Sequence, residues 1–271
     1  MTRDDDVMMV DDLIPALVGA DRRQVLKLLG GVPLATLLAN PALAAAVARN
    51  LETVSIRTHS GREVSASYIA PAEGKARAAV IMIHEWWGLN SQIKAVAADL
   101  AAKEGYAVIA VDLFNGAVTD NTEAAMAQVR GVKPEEAQET LAAWLAWAKA
   151  RGAVKRATLG WCFGGGWSLN ASLATPVDAT VIYYGNVAKT AAELASLKGP
   201  VLGHFARRDA HINEAMVTGF ESAMKEAGKS LNVYWYDADH AFANPTSASY
   251  VERDAALAWE RTTEFLRKML A

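Results

Sequence analysis

The chain carries a single cysteine, and its surroundings are those of a nucleophile. Cys162 lies in Gly160-Trp161-Cys162-Phe163-Gly164-Gly165-Gly166, between a short β-branched run, Ala157–Leu159, and a helical pattern, Gly165–Ala174. A sharp strand-to-helix turn needs small residues two before and two after the nucleophile, because a Cβ there would strike neighbouring backbone. Gly160 and Gly164 meet that need. The turn also puts the sulfur at a helix N-terminus, where unpaired N–H groups and the dipole favour thiolate and oxyanion. A small buried thiol would account for a cysteine among glycines, but not for the pairing of glycines around it at a strand–helix junction. A free thiol is only a few per cent thiolate at neutral pH, so the turn needs a base.

Three histidines follow Cys162: His204, His211 and His240. His204 falls inside an apolar run, Val201–Phe205, and reads as a core histidine. His240 stands in Asp237-Ala238-Asp239-His240-Ala241-Phe242, directly after the run Asn232–Tyr236, at the edge of the sheet where a base can reach the sulfur. It is the candidate base, with His211 as the second choice. A carboxylate is needed to fix the imidazole tautomer and to stabilise imidazolium. Asp209, just past Val201–Phe205, suits that role; Asp237 and Asp239 are rivals, although residues so near the histidine more often form turns.

These groups must be held by a sheet. From Thr53 onward short β-branched runs (Thr53–Arg57, Val64–Ile69, Ala78–Ile83, Ala107–Val111, Ala157–Leu159, Ala179–Tyr183, Val201–Phe205, Asn232–Tyr236) alternate with helical patterns at Ser91–Glu104, Pro134–Arg151, Gly165–Ala174, Asn213–Ala227 and Ser249–Leu270. That alternation predicts an α/β fold with a mostly parallel central sheet and helices on both faces, binding its ligand beyond the carboxyl ends of the strands. Residues 46–271 read as one domain. The 271 residues are 52% hydrophobic with a net charge of −3, which excludes a disordered chain and lacks the basic footprint of nucleic-acid binding. One cysteine excludes an intramolecular disulfide and a Cys-rich metal site. The sequence leaves the oligomeric state open, with a monomer favoured.

Residues 1–45 read as a twin-arginine export signal: Arg22-Arg23, an apolar stretch from Leu28 to Leu38, and a small-x-small site at Ala42–Ala44. Asp21 stands where Ser or Thr is usual and Val25 where Phe is usual. On this reading the export machinery is a transient partner, cleavage falls near Ala45, and the mature protein is periplasmic or secreted. The alternative is an amphipathic helix packed on the domain of a cytoplasmic protein. The stretch is too short and too broken by Gly30, Gly31 and Pro33 to anchor the chain in a membrane.

With Cys162, Asp209 and His240 in that chain order, the domain resembles the dienelactone hydrolase (carboxymethylenebutenolidase) family of α/β-hydrolases. The similarity also covers Glu85-Trp86-Trp87-Gly88-Leu89-Asn90, Asp112-Leu113-Phe114, Tyr183-Tyr184-Gly185 and His240-Ala241-Phe242. The resemblance implies a Cys-His-Asp triad, a small ester or lactone substrate, an acyl-thioester intermediate, and no metal or organic cofactor. It further implies that Glu85 faces the nucleophile and takes part in its activation, and that the N–H groups of Trp86 and Phe163 form the oxyanion hole. Family members acting on dienelactone hold its carboxylate with arginines, one of them four residues after the catalytic histidine. Here that position is Asn244, which lacks the charged fork of arginine. Arg130, in a segment that matches the family poorly, reads as a solvated helix charge, and Arg207 and Arg208 as a solvated loop pair.

Trp86, Trp87, Phe114, Tyr184 and Phe242 all stand at or after strand ends, and with Asn244 they are expected to wall the substrate pocket. Two other functions compete with the hydrolase. A thiol redox protein would use Cys162 but would need neither Asp209 nor His240, and it has no resolving cysteine here. A non-catalytic binding module on a hydrolase scaffold would tend to have lost a triad member or an elbow glycine, and none is lost.

Overall fold

A computed structural model describes residues 10–71 and 76–271. Its strands are β1 (Glu52–Arg57), β2 (Glu63–Ile69), β3 (Ala78–Ile83), β4 (Ala107–Val111), β5 (Lys155–Trp161), β6 (Ala179–Tyr183), β7 (Val201–Ala206) and β8 (Leu231–Tyr236). They form one sheet in the order β1-β2-β4-β3-β5-β6-β7-β8. The β1–β2 hairpin joins antiparallel to β4, and the strands from β4 across to β8 run parallel. The expected strands are all present, with ends moved by a residue or two.

The helices are α1 (Val10–Leu17), α2 (Arg22–Leu29), α3 (Leu34–Ala39), α4 (Pro41–Ala48), α5 (Ser91–Glu104), α6 (Thr122–Gly131), α7 (Pro134–Ala150), α8 (Phe163–Ala174), α9 (Ala191–Leu194), α10 (Glu214–Glu226) and α11 (Glu252–Leu270). Every residue of β3 is buried, as an apolar central strand with covered faces must be. Val80 and Met82 pack with α5 and α11 on one face, while Ala79, Ile81 and Ile83 pack with α7 on the other. The strand order reverses at β3, whose neighbours are β4 on one side and β5 on the other. At such a switch point the loops leaving two adjacent strands diverge and open a crevice. The Glu85–Asn90 loop leaves β3 and the Cys162 turn leaves β5, so both face that crevice.

After α4, two helices, α6 and α9, have no counterpart in the sequence reading. Of α6 only Ala125 is buried, so no apolar stripe marks it; what starts it is Asn121, whose side chain accepts a hydrogen bond from the Ala124 N–H.

Of the segment read as an export signal, the described residues from Val10 onward are folded as α1, α2, α3 and the first half of α4, and the rest lies outside the described residues. Val25, Leu29, Leu37, Leu43 and Val47 are buried in one apolar cluster with Val96 and Leu100 of α5. Asp21 and Gln24 form a reciprocal capping box that starts α2, and Lys103 of α5 donates to the Val32 carbonyl at 2.8 Å. The boundary expected near Ala45 falls inside α4, between the buried residues Ala44 and Ala46.

Candidate active site

Steric need places the nucleophile. A Cβ on Gly160 would lie 2.1 Å from the Gly164 carbonyl oxygen, and one on Gly164 would lie 2.3 Å from that of Ile83. Helix α8 can therefore start immediately against the ends of β3 and β5 only with glycine at both positions. Cys162 takes φ +53°, a left-handed value that L-residues adopt at a cost, and it starts α8 with no side-chain cap. The first N–H groups of α8, beginning with Phe163, have no intrahelical acceptor.

His240 bridges nucleophile and carboxylate. Its Nε2 lies 3.2 Å from Cys162 Sγ and its Nδ1 2.5 Å from Asp209 Oδ2. The other Asp209 oxygen, Oδ1, accepts from the His211 and Ile212 N–H groups at 2.8 and 2.9 Å. Burial pushes the Asp209 carboxyl up, but hydrogen bonds from His240 and the Ile212 N–H outweigh it and hold the group below its ordinary value. Burial likewise works against charge on His240; the hydrogen bonds to Asp209 and Cys162 overcome it and raise the imidazole to about 10. The two rival carboxylates, Asp237 and Asp239, are exposed and paired with Arg208. His211 contributes its backbone N–H to Asp209, and His204 is in the core, bonded to Tyr236 and Thr262 and lowered by burial to about 3.

Glu85 is buried beside this array. Its Oε2 accepts from Asn244 Nδ2 and its Oε1 from the Tyr184 hydroxyl at 3.3 Å. Burial raises its carboxyl to about 7, against the opposing pull of His240 and of the two hydrogen bonds. Asn244, expected at the substrate, thus also holds the carboxylate.

The loop that carries Glu85 and Trp86 is fixed at several points. Gly88, at φ +88°, lets the chain pass so close to Ala117 that a Cβ would sit 2.1 Å from its carbonyl oxygen, and the Thr119 N–H donates to the Trp87 carbonyl at 3.1 Å. His84, which the sequence reading did not single out, is a further support. Its Nε2 accepts from the Leu113 N–H at 3.1 Å, and its Nδ1 lies 2.6 Å from the Glu85 carbonyl. A ring that accepts at Nε2 and donates at Nδ1 is neutral, and burial lowers its basicity in keeping with that. The only sequence signal for it was its place at the end of β3, next to Glu85. Among the described residues no backbone or side-chain acceptor takes the Trp86 N–H.

A cavity of about 1630 Å³ opens over Cys162 and His240. Trp86, Trp87, Phe163, Tyr184 and Asn244 line it, as expected of a substrate wall. Phe114 and Phe242 do not. Asp112 accepts from the Phe114 N–H and turns Phe114 inward, where it packs on His84 and Phe163 at 4.6 and 5.1 Å. Phe242 follows the left-handed turn at Ala241 and is fully buried against Tyr236 and Tyr184, at 4.7 and 5.5 Å. Both aromatics support the wall from behind. Leu38, Pro41 and Ala44 of the N-terminal helices, outside the expected domain, also line the cavity. Arg207 lies over the Trp235 ring at 5.5 Å.

Residues 65–270 match the model of the dienelactone hydrolase family. A carboxymethylenebutenolidase from a Pseudomonas species is 30% identical over 233 residues, covering 80% of this chain and 95% of its own. The enzyme of that name from Pseudomonas putida is 28% identical over 242 residues, covering 79% and 95%. Among solved structures, a dienelactone hydrolase-like promiscuous phosphotriesterase from metagenomic libraries superposes with a TM-score of 0.73 at 18% identity, covering 82% of this chain and 99% of its own, a likeness of fold. The chain belongs to the dienelactone hydrolase family.

Proposed function

We propose that this protein hydrolyses small esters or lactones through covalent catalysis by Cys162. The observation that carries the reading is the unbroken hydrogen-bonded series from Cys162 Sγ through His240 to Asp209 at the floor of a large cavity. His240, whose raised basicity comes from its hydrogen bonds to Asp209 and Cys162 and from the charge on the sulfur itself, carries the thiol proton as the sulfur attacks the substrate carbonyl carbon. The C=O electron pair moves onto oxygen, and the N–H groups of Trp86 and Phe163 hold the anion, each donor contributing about 3 kcal/mol to the transition state. When the tetrahedral species collapses, His240 returns the proton to the leaving oxygen, and the acyl group remains on sulfur. Water, deprotonated by His240, then attacks the thioester, releasing the acid and the thiol. Asp209 stabilises the imidazolium that appears in both halves.

Glu85 is assigned the control of the thiol. An ionised carboxylate nearby disfavours thiolate until substrate moves Glu85 or lets it accept the proton. Thiol oxidation follows thiolate character and exposure, so the same arrangement would protect the sulfur in an oxidising compartment. Such a compartment suits the N-terminal segment: Arg22 and Arg23 are exposed at the start of α2, where export machinery that carries folded protein can read them.

The test is p-nitrophenyl acetate and a panel of neutral and anionic lactones with wild type and Cys162→Ala, together with intact-mass detection of an acyl adduct. Wild type should turn over and carry the adduct, and the variant should do neither. Consumption of peroxide without ester turnover would replace this reading with a redox thiol.

A further inference from the structure

Behind the catalytic cavity lies a second chamber of about 380 Å³. Its walls come from three helices: Leu34 and Ala35 of α3, Ile93 and Val96 of α5, Ala255 and Trp259 of α11. It shares Leu38, Glu85, Gln92, Tyr184 and Asn244 with the main cavity, so those five side chains stand at the neck that separates the two spaces, with Glu85 bonded to Tyr184 and Asn244 across it. The charged groups at its far end are already paired: Arg267 holds Glu104 through two bonds of 2.6 and 2.7 Å, and Lys103 is bound to Asp99 and the Val32 carbonyl. At the neck the position of a family arginine is Asn244, whose amide is engaged with Glu85. No free cation in the described residues of this chamber awaits an anionic group, and an apolar space of this size favours an apolar occupant over water.

The orientation of an ester follows from His240. The leaving oxygen must lie against Nε2 to receive its proton, and His240 lines the main cavity but not the chamber. From this adjacency, and resting on the hydrolase reading above, we infer that the chamber receives the unbranched aliphatic acyl arm of a neutral ester once substrate moves Glu85 aside, and that the N-terminal helix α3 is part of the specificity wall. Because α3 supplies that wall, the chamber belongs to the uncut chain.

The full chain is titrated with neutral amides of increasing length, from acetamide to octanamide, by calorimetry, and its kcat/KM is measured on p-nitrophenyl esters from acetate to octanoate. Each added methylene buried in the chamber should improve both by up to about fourfold, the equivalent of about 0.8 kcal/mol. Octanamide should therefore bind at least tenfold more tightly than butanamide. Ala35→Trp and Ala255→Leu fill the chamber from opposite walls, and in each the tenfold preference should vanish while circular dichroism remains that of the folded chain. Affinity that does not change with chain length in the wild type overturns the inference, as does a preference that survives in a folded variant filled from either side. Length-dependent amide binding without any ester turnover would keep the chamber and remove the hydrolase assignment; ester turnover that is flat in chain length would do the reverse.

Discussion

Replacing Glu85 by glutamine separates the charge of this buried group from its shape. The glutamine amide oxygen can still accept from Asn244 while its NH2 turns to the Tyr184 oxygen, so packing is nearly conserved while ionisation is abolished. In the folded protein the carboxyl is raised from an ordinary 4.5 to about 7, with desolvation as the main cause. A raised acid contributes stability that is complete below about pH 4.5, where native and unfolded chains both hold the proton, and that falls once the unfolded chain ionises first. That contribution is lost as pH climbs through about 7. Integrating the linkage, the wild type should lose roughly 2–3 kcal/mol relative to Glu85→Gln on going from about pH 5 to about pH 8.5. Urea unfolding of both proteins across that range measures the difference, and titrating groups not coupled to Glu85 cancel in the subtraction. The same pair of proteins, alkylated with iodoacetamide, reports on the thiol: near neutral pH Cys162 should react faster in Glu85→Gln, because a neighbouring negative charge has gone. Parallel stability profiles would refute the argument that Glu85 is a desolvated carboxyl titrating near neutrality. Equal alkylation rates would refute its restraint on the sulfur.

Asp209→Asn should lower kcat by roughly 10³–10⁴-fold, because the imidazole loses the partner that fixes its tautomer and sustains its charge; steady-state kinetics on p-nitrophenyl acetate checks this. In the wild type the raised His240, at about 10 against an ordinary 6.5, contributes stability that is complete below about pH 6.5 and lost as pH rises through 10. Asp209→Asn should flatten that alkaline limb of the urea profile. Gly164→Ala drives a Cβ to 2.3 Å from the Ile83 carbonyl oxygen, a clash of backbone with backbone, and should cost more than about 4 kcal/mol, read as loss of soluble protein or a large fall in Tm. Asn244→Arg places a cation beside Glu85 and should shift the ratio of kcat/KM for anionic over neutral lactones upward at least tenfold, measured on matched substrates.

The elements that recur with clear periodicity were legible from sequence, and so was the nucleophile turn, because a chemical need (Gly160 and Gly164 around Cys162) leaves a mark that is local in the chain. Asp209 and His240 were legible as candidates by their place after strand ends; that they meet at one sulfur is a property of the sheet order, which brings β7 and β8 beside β6 and β5. What remained hidden depends on directions rather than positions. Phe114 and Phe242 stand at strand ends like Trp86 and Trp87, yet an Asp112 side-chain turn and the left-handed Ala241 send them inward. The wall formed by α3 and α4 was hidden for another reason: an apolar helix docked on α5 and an apolar export segment have the same composition.

Backbone strain follows the same map as the chemistry. Among the described residues, four other than glycine have positive φ: Asn115, Cys162, Tyr184 and Ala241. Three of them are the sulfur's own residue, the tyrosine that donates to Glu85, and the neighbour of the base. Each such conformation costs on the order of 1–3 kcal/mol and persists only where surrounding structure overrules it. Here the overruling contacts can be named: the Cys162 N–H donates to the Tyr183 carbonyl at 2.9 Å, the Tyr184 N–H donates to the His204 carbonyl at 2.8 Å, and Phe242 anchors Ala241 from within the core. Glycine at position 162 would relax the turn and remove the sulfur together. Cys162→Gly should therefore unfold at a Tm above that of the wild type while showing no turnover, which would mean that the fold spends stability to hold its thiol at the crest of the turn.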